Sequence, residues 1–372
     1  MDTTVDFHSG QNEPLLNPRM PVDQAKELLS WLSAASGLTG HVFILTSGST
    51  AASVADYKWV ALSKEAILAS ADGSNAHMKC NNTDVWLHCL PDFHVGGLGI
   101  WARAKLAGGR VVRLTSSWDA AAFAQAALES NATQASLVPT QVHDLVRLGH
   151  RPPSSLRAVL VGGGALSDSL YSSARELGWP LLRTYGMSEA ASQVATEPLS
   201  GEARLKVLPH LEASADADGR LRVRGTSMLS GYVSLDAHGK PHLWDPKDRE
   251  GWFVTEDYGA IEGGWLTVEG RAADRLKIGG ETTNLQVLSK FLDDRIKGVT
   301  LLGVPDERLE WIVALVVEAD VGPEAVSELV RRFNEAVLPF ERIRRQFVVE
   351  RIPRTELGKV KRAELLSLVS SP

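Results

Sequence analysis

Between residues 40 and 190, short apolar runs alternate with longer stretches whose apolar positions recur every three to four residues. HVFIL, VWLHCL, RVVRL, ASLVP and AVLVGGG read as strands, and WDAAAFAQAALES and SDSLYSSARELG read as helices. Runs this apolar leave no solvent-facing side, so they predict a parallel or mixed sheet covered by helices on both faces. From 203 to 270 the strands shorten and turns crowd in (ADADGRLRVRG, SLDAHGKP, IEGGWLTVEG), which predicts hairpins. After GRAADRLKIGGE the pattern becomes strand, helix and strand: VTLLGVP, WIVALVVEAD, PEAVSELVRRFNEAV, RQFVVERI, KRAELLSLV. The expected fold class is α/β, with a large N-terminal domain of mixed or parallel sheets covered by helices, a small β-rich subdomain, and a small α+β C-terminal domain. The boundary is placed at Arg271, giving domains 1–270 and 271–372.

Composition narrows the function more than the fold. At 372 residues the chain exceeds one small core, which supports two domains. Its 39 basic and 45 acidic residues leave a charge of −6 with no run of like charges, which argues against nucleic acid as a partner. MDTTVDFHSGQNEP is polar and acidic where a secretory signal needs a basic start and an apolar core, and no later run reaches membrane-spanning length. A soluble, cytoplasmic protein without a membrane span is expected, and a homo-oligomer is left open. Cys80 and Cys89, the two cysteines, are too few for a disulfide framework or a four-thiolate zinc site and fit small buried hydrophobes.

Several stretches could carry chemistry. TSGST, Thr46 to Thr50, follows an apolar strand, and its amides and hydroxyls could form a concave anion site. It lacks the Walker spacing, and alone it could equally be a strand-to-helix turn of small residues. RTYGMSEAAS sets an aromatic ring, a glycine, a hydroxyl and a carboxylate close together, as a Mg²⁺ ligand beside a phosphate or as a capped turn. GWFVTEDYG presents Asp257, able to accept from a ribose diol or simply to cap backbone. PRTELGKVKR presents Lys359 in a glycine turn, where a solvated lysine is the plain reading.

The order of these stretches resembles the acyl-adenylate-forming superfamily. TSGST, LPDFHVGGL, LVGGGALS, YGMSE, LSGYVS, GWFVTEDYG, GRAADRLKIGGE, VPDERLEWIVALVV and PRTELGKVKR run in the family's order across residues 40 to 365. Within it the chain is most similar to the o-succinylbenzoate–CoA ligases of menaquinone biosynthesis, through ASLVPTQVHDLV and LPDFHVGGLGIWARAKLAGGRV. The resemblance implies ATP, Mg²⁺, coenzyme A and a small carboxylic acid as the molecules bound. It implies that Thr46, Ser47, Gly48, Ser49 and Thr50 wrap the β- and γ-phosphates. Gly162, Gly163 and Gly164 would lie flat beside the adenine and the acyl group. In YGMSE, with Gly186 and Met187 shaping the nucleotide pocket, Tyr185 would stack on adenine, Ser188 would bond the α-phosphate and Glu189 would ligate Mg²⁺. Asp257, assisted by Arg271, would hold the ribose. His94 would line the acyl pocket, and Lys359 would bridge the carboxylate and α-phosphate during adenylation.

Three departures from the family pattern stand out. After TSGST the family continues with glycine, proline and lysine, whereas AASVADY intervenes here and Lys58 arrives four positions late. The hinge aspartate expected after GRx is Ala273, with Asp274 beside it. The segment before the phosphate loop is shorter than in relatives, so part of the acyl-pocket wall is expected to be abbreviated or rebuilt.

Overall fold

The computed structural model describes residues 5–47, 54–114, 118–271, 274–292, 296–355 and 358–370. The chain divides into two compact units. One comprises Met1–Ala213, Val223–Phe253 and Glu262–Leu266; the other comprises Ser214–Arg222, Val254–Ile261 and Thr267–Pro372.

The first unit contains a parallel sheet in the order Arg110–Arg113, Val85–His88, Gln134–Leu137, Ala158–Val161, Leu181–Met187. The sheet continues antiparallel through Ser192–Thr196 and Leu205–Val207. Both faces are covered, as the unbroken apolar runs require. Leu87, Leu137, Val159, Val161 and Leu181 pack against Phe123 and Trp179 on one side, while Trp86, Ala158, Leu160 and Leu182 pack against Ile100 and Ala104 on the other. Cys80 and Cys89 are only half-buried, at the edges of these two clusters.

A second sheet in this unit runs Glu13–Leu15, His41–Ser47, Tyr57–Ser63, Gly231–Leu235, Pro241–Trp244. Val42, Ile44, Val60 and Leu62 face one cluster, and Phe43, Trp59 and Ala61 face another with Leu28 and Trp31, so side chains alternate between two buried layers. The buried Trp59 indole donates to the Leu28 carbonyl at 2.8 Å, which spares the unit an unpaired polar group. The Tyr57–Ser63 strand is a difference from the sequence reading, which led from the hydroxyl loop straight towards a helix. The chain makes a hairpin first, and only then does Ser63 cap the helix Lys64–Met78 by accepting from the Ala66 amide at 3.0 Å.

The second unit has its own sheet, Glu281–Asn284, Arg275–Ile278, Glu310–Glu318, Val299–Asp306, with Ile343–Val349 parallel to Glu310–Glu318. Helix Pro323–Ala336 buries Val326, Leu329 and Phe333, positions spaced at three and four, against Val313, Leu315 and Val317. Helix Arg362–Ser370 places Leu365 on the opposite face with Leu302, Val304 and Val316. The α/β class read from the sequence is the one observed.

Candidate active site

In the first unit, segments 89–94, 162–164 and 188–190 all leave carboxyl ends of parallel strands, so they share the edge of the sheet where open α/β folds bind ligands. Gly162 to Gly164 follow Ala158–Val161. A Cβ at Gly162 would stand 2.5 Å from Thr184 Oγ1, whose hydroxyl donates to the Val161 carbonyl at 3.2 Å, and Gly163 sits at φ +78°. At Gly162 the neighbouring strand leaves no room for a side chain, and at Gly163 the left-handed backbone favours glycine.

That neighbour, Leu181–Met187, carries the YGMSE residues. Tyr185 is half-buried against the cluster containing Ile44, Val60 and Leu98. The pairing with Ser192–Thr196 slips between Tyr185 and Gly186, and a Cβ at Gly186 would run into the Ser192 carbonyl. Met187 ends the strand, Ser188–Ala190 forms one 3₁₀ turn, and Ala191 at φ +52° starts the return. Ser188 and Glu189 thus sit at the tip of a tight hairpin. The Tyr232 hydroxyl donates to Glu189 Oε1 at 2.7 Å, and the Leu229 amide donates to the Glu189 carbonyl at 2.8 Å.

Thr46 and Ser47 end the strand His41–Ser47; Gly48, Ser49 and Thr50 lie outside the described residues. Thr46 pairs with Lys58 across the hairpin, its hydroxyl donating to the Lys58 carbonyl at 3.3 Å. Lys58 is therefore a strand residue at the foot of the loop. Its ammonium lies 4.0 Å from the centre of the Tyr232 ring.

His94 caps the helix Val95–Ala107 with its backbone, its carbonyl accepting from Gly97 and Leu98 at 3.0 Å, and its ring lies 4.6 Å from that of Phe93. A Cβ at Gly97 would meet the Pro91 carbonyl, so the glycine lets helix and turn close together. The turn is fixed by Asp92, which binds His88 Nε2 and Arg113 Nη2 at 2.6 Å and accepts from Trp101 Nε1 at 2.8 Å. Burial pushes the Asp92 carboxyl up, but bonds from His88 and Trp101 and the nearby Arg113 charge outweigh it and hold it below the usual carboxylate value.

In the second unit Asp257 is buried on the strand Phe253–Glu262, its amide donating to Thr255 Oγ1 at 3.0 Å. Arg271, at the end of Trp265–Arg271, donates from Nε to Asp257 Oδ1 at 3.1 Å. Lys359 is exposed on a turn closed by Thr355 and Lys359: the Thr355 amide donates to the Lys359 carbonyl at 2.7 Å and the Lys359 amide donates to Thr355 Oγ1 at 3.1 Å. Gly358 at φ +77° permits the bend. Ala273 lies outside the described residues, while Asp274 is buried and ion-paired with Arg362.

Among the described residues no group of three or more His, Cys, Asp or Glu could hold a metal. Glu189 offers a half-buried carboxylate with one oxygen bonded by a neutral hydroxyl and, among the described residues, no ion pair. That suits Mg²⁺, which binds through one or two carboxylates shared with phosphate oxygens.

The structure brings Gly162–Gly164, Tyr185, Gly186, Met187, Ser188 and Glu189 together, and separately pairs Asp257 with Arg271. Neither Tyr232, within LSGYVS, nor the Asp92 cluster that fixes the turn before His94 was marked as functional by the sequence pattern. The aspartate in LPDFH was the available signal for the second, being a charge inside an otherwise apolar segment.

A glycine-lined loop, a strand bearing Tyr185 and a half-buried carboxylate share the carboxyl edge of a parallel sheet, where open α/β folds bind ligands, and the chain belongs to the AMP-binding enzyme family, whose model matches residues 39–233. The resemblance read from the motifs is borne out. The chain is 32% identical over 338 residues to a protein of Mycobacterium tuberculosis named probable 2-succinylbenzoate–CoA ligase, covering 87% of this chain and 83% of the relative. It is 30% identical to the 2-succinylbenzoate–CoA ligase of Bacillus mycoides, covering 88% of this chain and 69% of that one. Among solved structures, a variant of E. coli MenE with bound OSB-AMS matches with a TM-score of 0.77 at 26% identity over 97% of this chain and 88% of that chain. The Bacillus subtilis o-succinylbenzoate coenzyme A synthetase in complex with ATP and magnesium has a TM-score of 0.75 at 24% identity, covering 87% of this chain and 69% of that one, which shows the shared fold.

Proposed function

We propose that this chain is an AMP-forming acid–thiol ligase that joins o-succinylbenzoate to coenzyme A through an acyl-adenylate, the step that belongs to menaquinone biosynthesis. The observation that carries the reading is its likeness, over most of both chains, to a relative named for that reaction. A cytoplasmic setting goes with it, since ATP and coenzyme A are supplied there. Among the described residues no helix is long and apolar enough to cross a membrane.

In this reading the acid's carboxylate attacks the α-phosphorus of ATP, pyrophosphate leaves, and the coenzyme A thiolate then displaces AMP from the acyl carbon. The first step brings two anions together, so charge must be neutralised where the attack occurs. Mg²⁺ held by Glu189 would offset phosphate charge. Tyr185 stacks on the adenine beside the Gly162–Gly164 backbone, where a side chain would collide. Ser188 bonds the α-phosphate, and the loop from Thr46 and Ser47 onward holds the outer phosphates. Asp257, oriented by Arg271, accepts from the ribose hydroxyls. Lys359 sets its ammonium between carboxylate and α-phosphate, then withdraws so that the thiolate can reach the acyl carbon past His94.

The test is a panel of carboxylic acids assayed for AMP and acyl-CoA formation. o-Succinylbenzoate should exceed benzoate and fatty acids by a wide margin, because a pocket built for its second carboxylate leaves polar groups unpaired with any acid that lacks it. Equal turnover of all of them would remove the substrate assignment and leave the ligase class.

A further inference from the structure

Tyr232 lies on the strand Gly231–Leu235, is 3% exposed, and reaches Glu189 across 43 positions of chain. The same short segment also binds the main chain of Glu189 through the Leu229 amide. The tyrosine ring is fixed from several sides: Trp244 lies at 5.2 Å between centroids, Phe253 at 6.5 Å, and the Lys58 ammonium at 4.0 Å over the face. Tyr232 pairs with Val60, two residues beyond Lys58, which itself pairs with Thr46 at the foot of the hydroxyl loop. A continuous set of strand pairings and side-chain contacts therefore joins that loop to the carboxylate.

We infer that Tyr232 is a positioning residue for Glu189 as a Mg²⁺ ligand, and that Lys58 acts through the Tyr232 ring rather than on phosphate. The inference rests on the reading of Glu189 given above. A carboxylate that must bind a cation loses less rotamer freedom if one oxygen is already held. A neutral hydroxyl does this without cancelling the charge, and leaves the other oxygen for the ion. Such outer partners of a ligating group typically matter 10- to 100-fold for metal affinity. The cation over the ring draws electron density from it and makes the hydroxyl a stronger donor.

The experiment measures ATP binding by calorimetry over a range of Mg²⁺ concentrations and again in EDTA, with thermal melting as a check of the fold. Tyr232→Phe keeps the ring and its packing. It should raise the Mg²⁺ concentration for half-maximal effect by about 10- to 100-fold, leave ATP affinity in EDTA unchanged, and have no further effect in a Glu189→Gln background. Lys58→Met should shift the Mg²⁺ dependence in the same direction by about two- to fivefold, the scale of one cation–π contact. Wild-type Mg²⁺ dependence in Tyr232→Phe, or the same shift without Glu189, overturns the inference for Tyr232. Weaker ATP binding in EDTA for Lys58→Met places that lysine on phosphate and overturns its part. If Tyr232→Phe fails to fold, the Lys58→Met shift must still vanish in Glu189→Gln, and its survival there overturns the inference. Unchanged Mg²⁺ dependence in Glu189→Gln alone is a different failure, that of the metal reading itself.

Discussion

Glu189 and Lys359 are the two charged groups on which the proposed adenylation turns, and the fold treats them in opposite ways. Glu189 is half-buried at the tip of a bulged hairpin, with its carboxylate held by Tyr232 and its carbonyl by Leu229. Lys359 is exposed on a turn whose bonds from Thr355, Gly358 and Arg354 fix the backbone at its base. A group that holds a metal gains from pre-set geometry. A group that must serve one half-reaction and leave for the other gains from a long side chain on a small, self-contained turn. In the proposed reading this difference would leave Glu189 pre-set for its cation by the hairpin and Tyr232, and would leave the Lys359 ammonium on a solvent-facing turn.

The largest expected effect follows from removing that lysine. Lys359→Ala should lower the rate of acyl-adenylate formation by about 10³-fold, the scale lost with a single key electrostatic group, as read from pyrophosphate release. A loss of tenfold or less would mean that another cation does this work, and the contrast with Glu189 would lose its second half.

Much of this arrangement was legible in the sequence, for identifiable reasons. AVLV and HVFIL read as strands because both of their faces are buried, so apolar character alone marks them. GGG and YGMSE were picked out by their order within the family's motifs, and the structure adds a steric reason for two of their glycines, Gly162 beside Thr184 and Gly186 beside Ser192. The strand Tyr57–Ser63 was not, since it opens with Tyr57 and Lys58 and directly abuts a helix, which hides its hairpin partner. Tyr232 could not be assigned for a different reason: its bond to Glu189 spans 43 positions, and no local pattern encodes a contact between a strand residue and a distant turn.

An intermediate effect is expected at Asp257. Asp257→Asn keeps the shape but removes the charge that pairs with Arg271 and, in the proposed reading, one acceptor for the ribose, so KM for ATP should rise about tenfold with little change in kcat, the signature of binding lost equally in ground and transition states. A fall in kcat with KM unchanged would instead place Asp257 in the chemistry.

A smaller effect concerns the stability of the first unit. Burial pulls His210, packed against Gly73 of the helix Lys64–Met78, down to about 4 from its ordinary 6.5. The His210 imidazole then stays neutral in the folded protein over a range where the unfolded chain takes a proton there. Stability should be undiminished by this group above pH 6.5 and should decline as the pH falls from 6.5 to about 4. Melting temperatures across that window should flatten in His210→Gln, and an unchanged slope would assign the acid sensitivity to other groups.

The most direct test of the contrast between a fixed carboxylate and a carried lysine is an effect expected to be absent. Lys359→Ala, supplied with chemically prepared o-succinylbenzoyl-adenylate and coenzyme A, should form the thioester at close to the wild-type rate while remaining almost unable to make the adenylate from ATP. Equal loss of both half-reactions would contradict the account, because it would make Lys359 as much a fixture of the site as Glu189.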